Sequence, residues 1–172
     1  SERVPRTQAR LLELAASAGL DERELEVLSS DREAGAALLQ DPELDHVVFT
    51  GSTEVGKAIA AACAGTGKRL TLELGGKSPN IVFADASIDQ AIEGIVQGIW
   101  FNQGHVCCAG SRLFVEEPVL EEVVEKLDRR LGTLRVGDPL DKNTDVGAIN
   151  SAGQLQTING YLEQGVSEGA TR

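Results

Sequence analysis

The sequence predicts an α/β chain with parallel strands joined by helical crossovers. Three observations carry this. Short apolar runs at 46–50, 69–74, 80–84 and 112–116 alternate with stretches of helical length. Ile88, Ala91, Ile92, Ile95, Val96 and Ile99 recur at helical spacing and place one apolar stripe on a helix. Gly and Pro punctuate the joints between these segments.

The elements follow in order. Pro5 suits the first turn of a helix carrying Leu11, Leu12, Leu14 and Ala18, with Gly19 as its stop. Residues 25–28 form a short strand candidate. Asp31 is placed to cap a helix through Gln40, ended by Asp41-Pro42. The run 46–50 reads as a buried strand. A helix starts near Ser52 with Val55, Ile59 and Cys63 on one face, and 69–74 is the next strand. Gly75-Gly76 is a hinge-like break, and Ser78-Pro79 is extended. A strand at 80–84 leads to the helix of the isoleucine stripe, with Gly104 as its stop. A strand at 112–116 precedes a helix opened by Pro118, with Val119, Val123, Val124, Leu127 and Leu131 inward. A polar loop fills 140–150, and a weaker helix covers 151–168. The chain shows no internal repeat and no low-complexity tract.

Composition narrows the function. The chain has 172 residues, enough for one domain or pieces of two. It is 41% hydrophobic and 25% charged, as soluble globular proteins are. No apolar run approaches a membrane span, and no charged-then-apolar leader opens the chain. The net charge of −11 argues against nucleic acid, because no Lys/Arg stripe can neutralise phosphates. Three Cys do not make a disulfide framework, and free thiols fit a reducing, cytoplasmic compartment. The absence of Met, the start at Ser1 and the end at Arg172 read as a fragment of a longer protein.

Three motifs carry chemistry. Residues 49–57, Phe-Thr-Gly-Ser-Thr-Glu-Val-Gly-Lys, form a strand, a Gly turn and a helix start. The unpaired N–H groups and the dipole of such a start suit phosphate. The spacing is not G-x-G-x-x-G. It matches a P-loop, but Ala58 stands where a P-loop needs Ser or Thr for Mg²⁺. The structural alternative is that Gly51 only makes a turn and Ser52 only caps a helix. Residues 72–79, Leu-Glu-Leu-Gly-Gly-Lys-Ser-Pro, place Glu73 at the end of an apolar strand. Burial there would favour the protonated form and make a usable base; the alternative is a partly exposed strand-end charge. Residues 100–112 carry His105, Cys107 and Cys108 in a Gly-bounded loop between a helix and a strand. An ordinary thiol has a pKa near ~8.5 and needs help to ionise at neutral pH. Cys63 reads as a core residue, Cys108 as packed and His46 as structural. Adjacent thiols have poor spacing for structural zinc, so no metal is expected. A Cys107/His105 thiol hydrolase is disfavoured because residues two apart in a loop rarely face each other.

Taken together these motifs resemble those of the aldehyde dehydrogenase superfamily. Asn102-Gln103-Gly104-His105-Val106-Cys107-Cys108-Ala109-Gly110 is similar to the family's Asn-Gln-Gly-Gln-x-Cys-x-Ala-Gly, with His105 in place of Gln or Glu. The other two motifs match the family's pyrophosphate segment and its Glu-Leu-Gly-Gly-Lys-Ser-Pro signature. The resemblance implies an aldehyde-dehydrogenase-like fold: part of a Rossmann-type cofactor domain over 1–74, then part of the α/β catalytic domain over 75–172. It implies oxidation of an aldehyde to a carboxylic acid through a Cys107 thiohemiacetal and thioester, with Glu73 as general base. It implies NAD as cofactor, with NADP as the alternative, held by Glu2, Gly51, Ser52, Gly56 and Leu74. Glu2 would accept from the adenosine ribose and repel a 2′-phosphate. Residues 29–33 stand where many members have a Gly-rich turn beside the adenine. The oxyanion-hole Asn, a nicotinamide-ribose Glu and the oligomerisation strands lie outside the chain on this alignment, and the complete protein would be a homo-oligomer. The rival readings are a non-catalytic relative that binds dinucleotide or a partner, and a coenzyme A-acylating aldehyde dehydrogenase.

Overall fold

The structure is a computed structural model and describes residues 4–21, 23–28 and 32–171. The chain divides into two compact units, Ser1–Leu74 and Gly75–Arg172. Among the described residues no helix is long and apolar enough to cross a membrane.

In the first unit, helix α1 (Pro5–Ser17) starts with Pro in its first turn and ends before Gly19, which adopts φ +93°. Helix α2 spans Arg32–Leu39, and the Asp31 cap lies outside the described residues. Strand β1 (His46–Gly51), helix α3 (Thr53–Cys63) and strand β2 (Arg69–Leu74) form a βαβ unit. The two strands run parallel, from His46 opposite Arg69 to Gly51 opposite Leu74. Ile59 and Cys63 are buried on α3. Two expectations fail here. Residues 25–28 are not a strand, because among the described residues they have no ladder partner to complete an isolated extended run. Strand β1 is not buried: Val47 and Phe49 are half-buried while Val48 is 66% exposed, since only one face is covered within this chain.

The second unit repeats the plan. Strand β3 (Pro79–Val82) and strand β4 (Arg112–Val115) pair in parallel, joined by helix α4 (Ile88–Trp100) and a loop. A 3₁₀ turn, Glu117–Val119, leads into α5 (Leu120–Leu131). The core is Val82, Ile92, Ile95 and Val123, with Trp100 and Leu127 packed around it. The isoleucine stripe therefore faces β3 and α5. Lys126 on α5 meets Asp89 at 2.6 Å and Arg130 meets Glu93 at 2.7 Å, tying α5 to the polar flank of α4. Val124 was expected inward and is 55% exposed, because the buried stripe of α5 runs through Val123 and Leu127, and the next residue is a quarter-turn round. Residues 140–150 form a loop, and α6 (Ala152–Ser167) is capped by the Ser151 hydroxyl, which accepts from Gln154 N–H at 3.2 Å.

Candidate active site

In parallel α/β units the loops at strand ends are free to carry function, while the strands hold them in place. The first unit gathers its candidates at the carboxyl ends of β1 and β2. Gly51 closes β1 directly opposite Leu74, and Thr50 lies opposite Glu73. Ser52 caps α3, its Oγ accepting from Val55 N–H at 3.3 Å. The cap leaves the N–H groups of Thr53 and Glu54 without an acceptor in the helix. Gly56 is buried, and a Cβ there would lie 2.5 Å from Leu74 Cδ2. The glycine thus lets α3 seat against the end of β2 and fixes Leu74. Gly51 needs its smallness for another reason: a Cβ would fall 2.4 Å from the Phe49 ring. Its φ is not left-handed, and it forms the last residue of β1. Glu73 is exposed, which fits the strand-end charge of its two readings, and this chain does not supply the burial of the other. Glu2 lies outside the described residues. His46 Nε2 sits 3.0 Å from Thr71 Oγ1, a cross-strand contact in keeping with a structural role.

The second unit builds the cysteine loop at the amino-terminal ends of β3 and β4. Helix α4 stops at Trp100, four residues before Gly104, and a 3₁₀ segment, Phe101–Gly104, follows. Asn102, Gln103 and Gly104 take left-handed φ of 51°, 56° and 75° in succession. Such a conformation costs roughly 1–2 kcal/mol for each non-Gly residue, so other contacts must hold it. The Asn102 side-chain amide donates to the His105 carbonyl at 3.1 Å, and His105 N–H donates to the Asn102 carbonyl at 3.0 Å. With the Gln103 side-chain oxygen and nitrogen exchanged, the orientation its neighbours favour, the amide donates to the same Asn102 carbonyl and accepts from Gly147 N–H, each at 3.1 Å. His105 is half-buried, its backbone engaged in this knot.

Beyond the knot the chain makes a β-turn. Ala109 N–H donates to the Val106 carbonyl at 3.1 Å, so Cys107 and Cys108 are its two central residues. Both thiols are free and exposed. Cys108 was expected to be packed; the central positions of the turn hold both side chains outside its hydrogen-bonded ring. Cys63 is buried, as its helix face requires. Ala109 is buried, Gly110 N–H donates to the Gly98 carbonyl at 3.1 Å, and Arg112 Nε donates to the Lys77 carbonyl at 2.8 Å. These contacts anchor the exit of the turn. The Cys107 carbonyl approaches Gly76 so closely that a Cβ there would lie 3.3 Å away. The Cys107 N–H has no acceptor among the described residues, which leaves it available to an oxygen of a ligand.

The sequence reading missed the Asn102–Gln103 pair, the approach of Gly76 to the Cys107 carbonyl and the part played by Gly147. Asn102 by its type is a signal, since Asn is enriched in left-handed backbone; Gln103 gives none. Among the described residues no group of three or more His, Cys, Asp or Glu side chains is placed to hold a metal ion.

The arrangement has clear relatives. The profile described as the aldehyde dehydrogenase family matches residues 1–172. A betaine aldehyde dehydrogenase of Rhizobium etli is 40% identical over 171 residues, covering 99% of this chain and 35% of that protein. The crystal structure of an NAD-dependent aldehyde dehydrogenase from Sinorhizobium meliloti superposes with a TM-score of 0.94 at 40% identity, over 99% of this chain and 34% of that one. A Staphylococcus aureus betaine aldehyde dehydrogenase, solved in complex with NAD+, gives 0.94 at 34% identity over the same shares of the two chains. The chain spans about a third of the length of the curated relatives it matches. A match that runs through both units, and through the motifs around Gly51, Glu73 and Cys107, means that this chain belongs to the aldehyde dehydrogenase family.

Proposed function

We propose that the protein to which this chain belongs oxidises an aldehyde to a carboxylic acid with NAD+. The observation that carries the reading is the β-turn that presents an exposed, free Cys107 beside its own unengaged N–H. Family membership supports the reaction class, and relatives solved with NAD+ support the cofactor. Residues 1–74 then belong to the NAD-binding domain and residues 75–172 to the catalytic domain.

The fit to a dinucleotide rests on the first unit. The start of α3 offers N–H donors at an exposed Gly51-Ser52-Thr53 corner, the kind of site pyrophosphate takes. Gly51, Ser52 and Gly56 would hold that group, with Leu74 at the nicotinamide end and Glu2 at the adenosine ribose. NADP is disfavoured by a carboxylate in that position. When bound, NAD+ supplies the hydride acceptor.

The chain's own residues do the rest. The Cys107 thiolate adds to the aldehyde carbonyl and forms a thiohemiacetal. The Cys107 N–H donates to the developing oxyanion, and a donor of this kind is typically worth about 10²–10³ in rate. Loss of hydride leaves a thioester on Cys107. Glu73 takes a proton from water, which attacks the thioester and releases the acid. Covalent attachment splits one hard oxidation into two easier steps. Three free thiols fit a reducing, cytoplasmic compartment, and homo-oligomerisation of the complete protein follows the family.

The test is an assay of the complete protein with a panel of aldehydes, following NADH and identifying the product. Stoichiometric acid and NADH are expected. Acyl-coenzyme A as the product would move the protein to the acylating branch. NAD+ binding with no turnover and no aldehyde-dependent labelling of Cys107 would make it a non-catalytic relative.

A further inference from the structure

The backbone is left-handed at three residues in succession, Asn102, Gln103 and Gly104, with φ of 51°, 56° and 75°. Gly104 adopts this freely, whereas Gln103 carries a side chain that disfavours it. Backbone held against its preference persists only where the surroundings over-determine it. The bonds between Asn102 and His105 close the knot on itself. Gln103 reaches out of it. In the orientation its neighbours favour, its amide donates to the Asn102 carbonyl and accepts from Gly147 N–H, each at 3.1 Å.

The segment it reaches is itself closed. Gly137 N–H donates to the Val146 carbonyl at 3.1 Å, and the N–H groups of Asp145 and Val146 donate to the Arg135 carbonyl at 2.9 and 3.1 Å. The Asp145 carboxylate accepts from Arg135 N–H at 2.9 Å. Val136 and Val146 form a parallel bridge. Loop 135–147 is therefore a clasp whose two ends are fixed to each other. A Cβ on Gly147 would lie 3.3 Å from both Gln103 Nε2 and Pro139 Cβ. The glycine thus leaves room for the Gln103 amide to seat against the clasp.

We propose that Gln103 is a positioning residue for Cys107, docking the strained entry of the cysteine turn onto the 135–147 clasp. The path from one to the other is short. His105 N–H is bonded back to the Asn102 carbonyl, and the Val106 carbonyl accepts from Ala109 N–H where the turn begins. The exit is held separately, by buried Ala109 and by the bond from Gly110 to Gly98. With Gln103 seated, entry and exit are both fixed, and the thiol and N–H of Cys107 keep one orientation. Without the amide, the left-handed residues relax toward ordinary backbone and the entry swings. Small misplacements of a nucleophile cost rate steeply. Gln103 acts through the turn and not on the reacting atoms. The kinetic consequence rests on the aldehyde oxidation proposed above; the anchoring does not.

The experiment compares the complete parent protein with Gln103→Gly and Gln103→Met. Glycine removes the amide and accepts the left-handed backbone; methionine removes the amide and keeps the backbone penalty. Both variants should lose about tenfold in kcat/KM per folded molecule, with the NAD+ dissociation constant unchanged. Gln103→Gly should melt close to the parent, so that its loss of rate is not a loss of fold. Amide hydrogen exchange, read by mass spectrometry, should speed up in the peptide covering 105–110 in both variants and keep the parental rate in β3. Parental kcat/KM in either variant, or parental exchange at 105–110, would overturn the proposal. If the complete parent protein oxidises no aldehyde, exchange alone decides. Faster exchange at 105–110 in both variants would then keep the anchor and remove only the functional reading, while unchanged exchange would remove the anchor.

Discussion

At the scale of single residues, small side chains set the position of the reactive ones. A Cβ on Gly76 would lie 3.3 Å from the Cys107 carbonyl, so Gly76→Ala must move the turn by a few tenths of an ångström. Because small misplacements of a nucleophile cost rate steeply, kcat/KM of the complete enzyme should fall by several-fold to about tenfold. Unfolding temperature should hardly change. Steady-state kinetics beside a thermal melt separates the two. Gly104→Ala is different in kind: φ is +75°, and the new Cβ would lie 3.1 Å from the Ile99 carbonyl. It should lose at least about 1 kcal/mol of stability in a denaturant titration. Cys107→Ser should abolish NADH formation while Cys108→Ser keeps most of it; an active Cys107→Ser protein would remove Cys107 as nucleophile. Glu73→Gln should keep a burst of NADH and slow the release of acid, and undiminished steady turnover would exclude Glu73 as the base. Residue identity alone made Gly51, Ser52, Gly56, Glu73, Leu74 and Cys107 legible as candidates. It could not reveal that Gly56 serves Leu74 or that Gly51 makes room for Phe49, because those roles exist only between segments.

At the scale of elements, helical spacing located α4 well, since a strong apolar stripe has one way to be buried. It was less selective on α5, where two adjacent valines compete. Val123 is fully buried and Val124 is mostly exposed. Val123→Ala should therefore cost about 2 kcal/mol, from lost transfer energy and the cavity left behind. Val124→Ala should stay within about 0.5 kcal/mol of the parent. Equal costs in paired denaturation curves would show that the buried stripe of α5 is drawn wrongly. The same helix carries a pH-dependent tie. Hydrogen bonds from Lys126 to Asp89 first, and then to Glu122, raise its pKa above the ordinary lysine value. The contribution of a raised pKa is complete below the ordinary value and fades as pH rises through the higher one. Any stability gap between the parent and Lys126→Gln should thus be constant near neutral pH and close only in strongly alkaline buffer, as followed by melting temperature. The element that failed, the strand at 25–28, shows the converse: extended propensity without a partner strand makes no ladder.

At the scale of the whole molecule, large apolar side chains remain on the surface, among them Phe83, Phe101, Phe114, Val136 and Leu140, the last 90% exposed. The 172-residue polypeptide on its own should bind a hydrophobic dye and self-associate. A monodisperse monomer without dye binding, by light scattering, would show that water tolerates these faces. By itself the sequence determined the alternation of strands and helices, the parallel pairing that follows from helical crossovers, and which residues could carry chemistry. Periodicity, caps and motif spacing are local properties, written within a dozen residues. Only the tertiary structure decided that Glu73 and Val48 are exposed, and that both thiols stand outside one turn. It alone revealed that three left-handed residues precede that turn. Those facts depend on what lies opposite each residue across a sheet, a helix face or a turn, and such distances in space are not a function of distance along the chain.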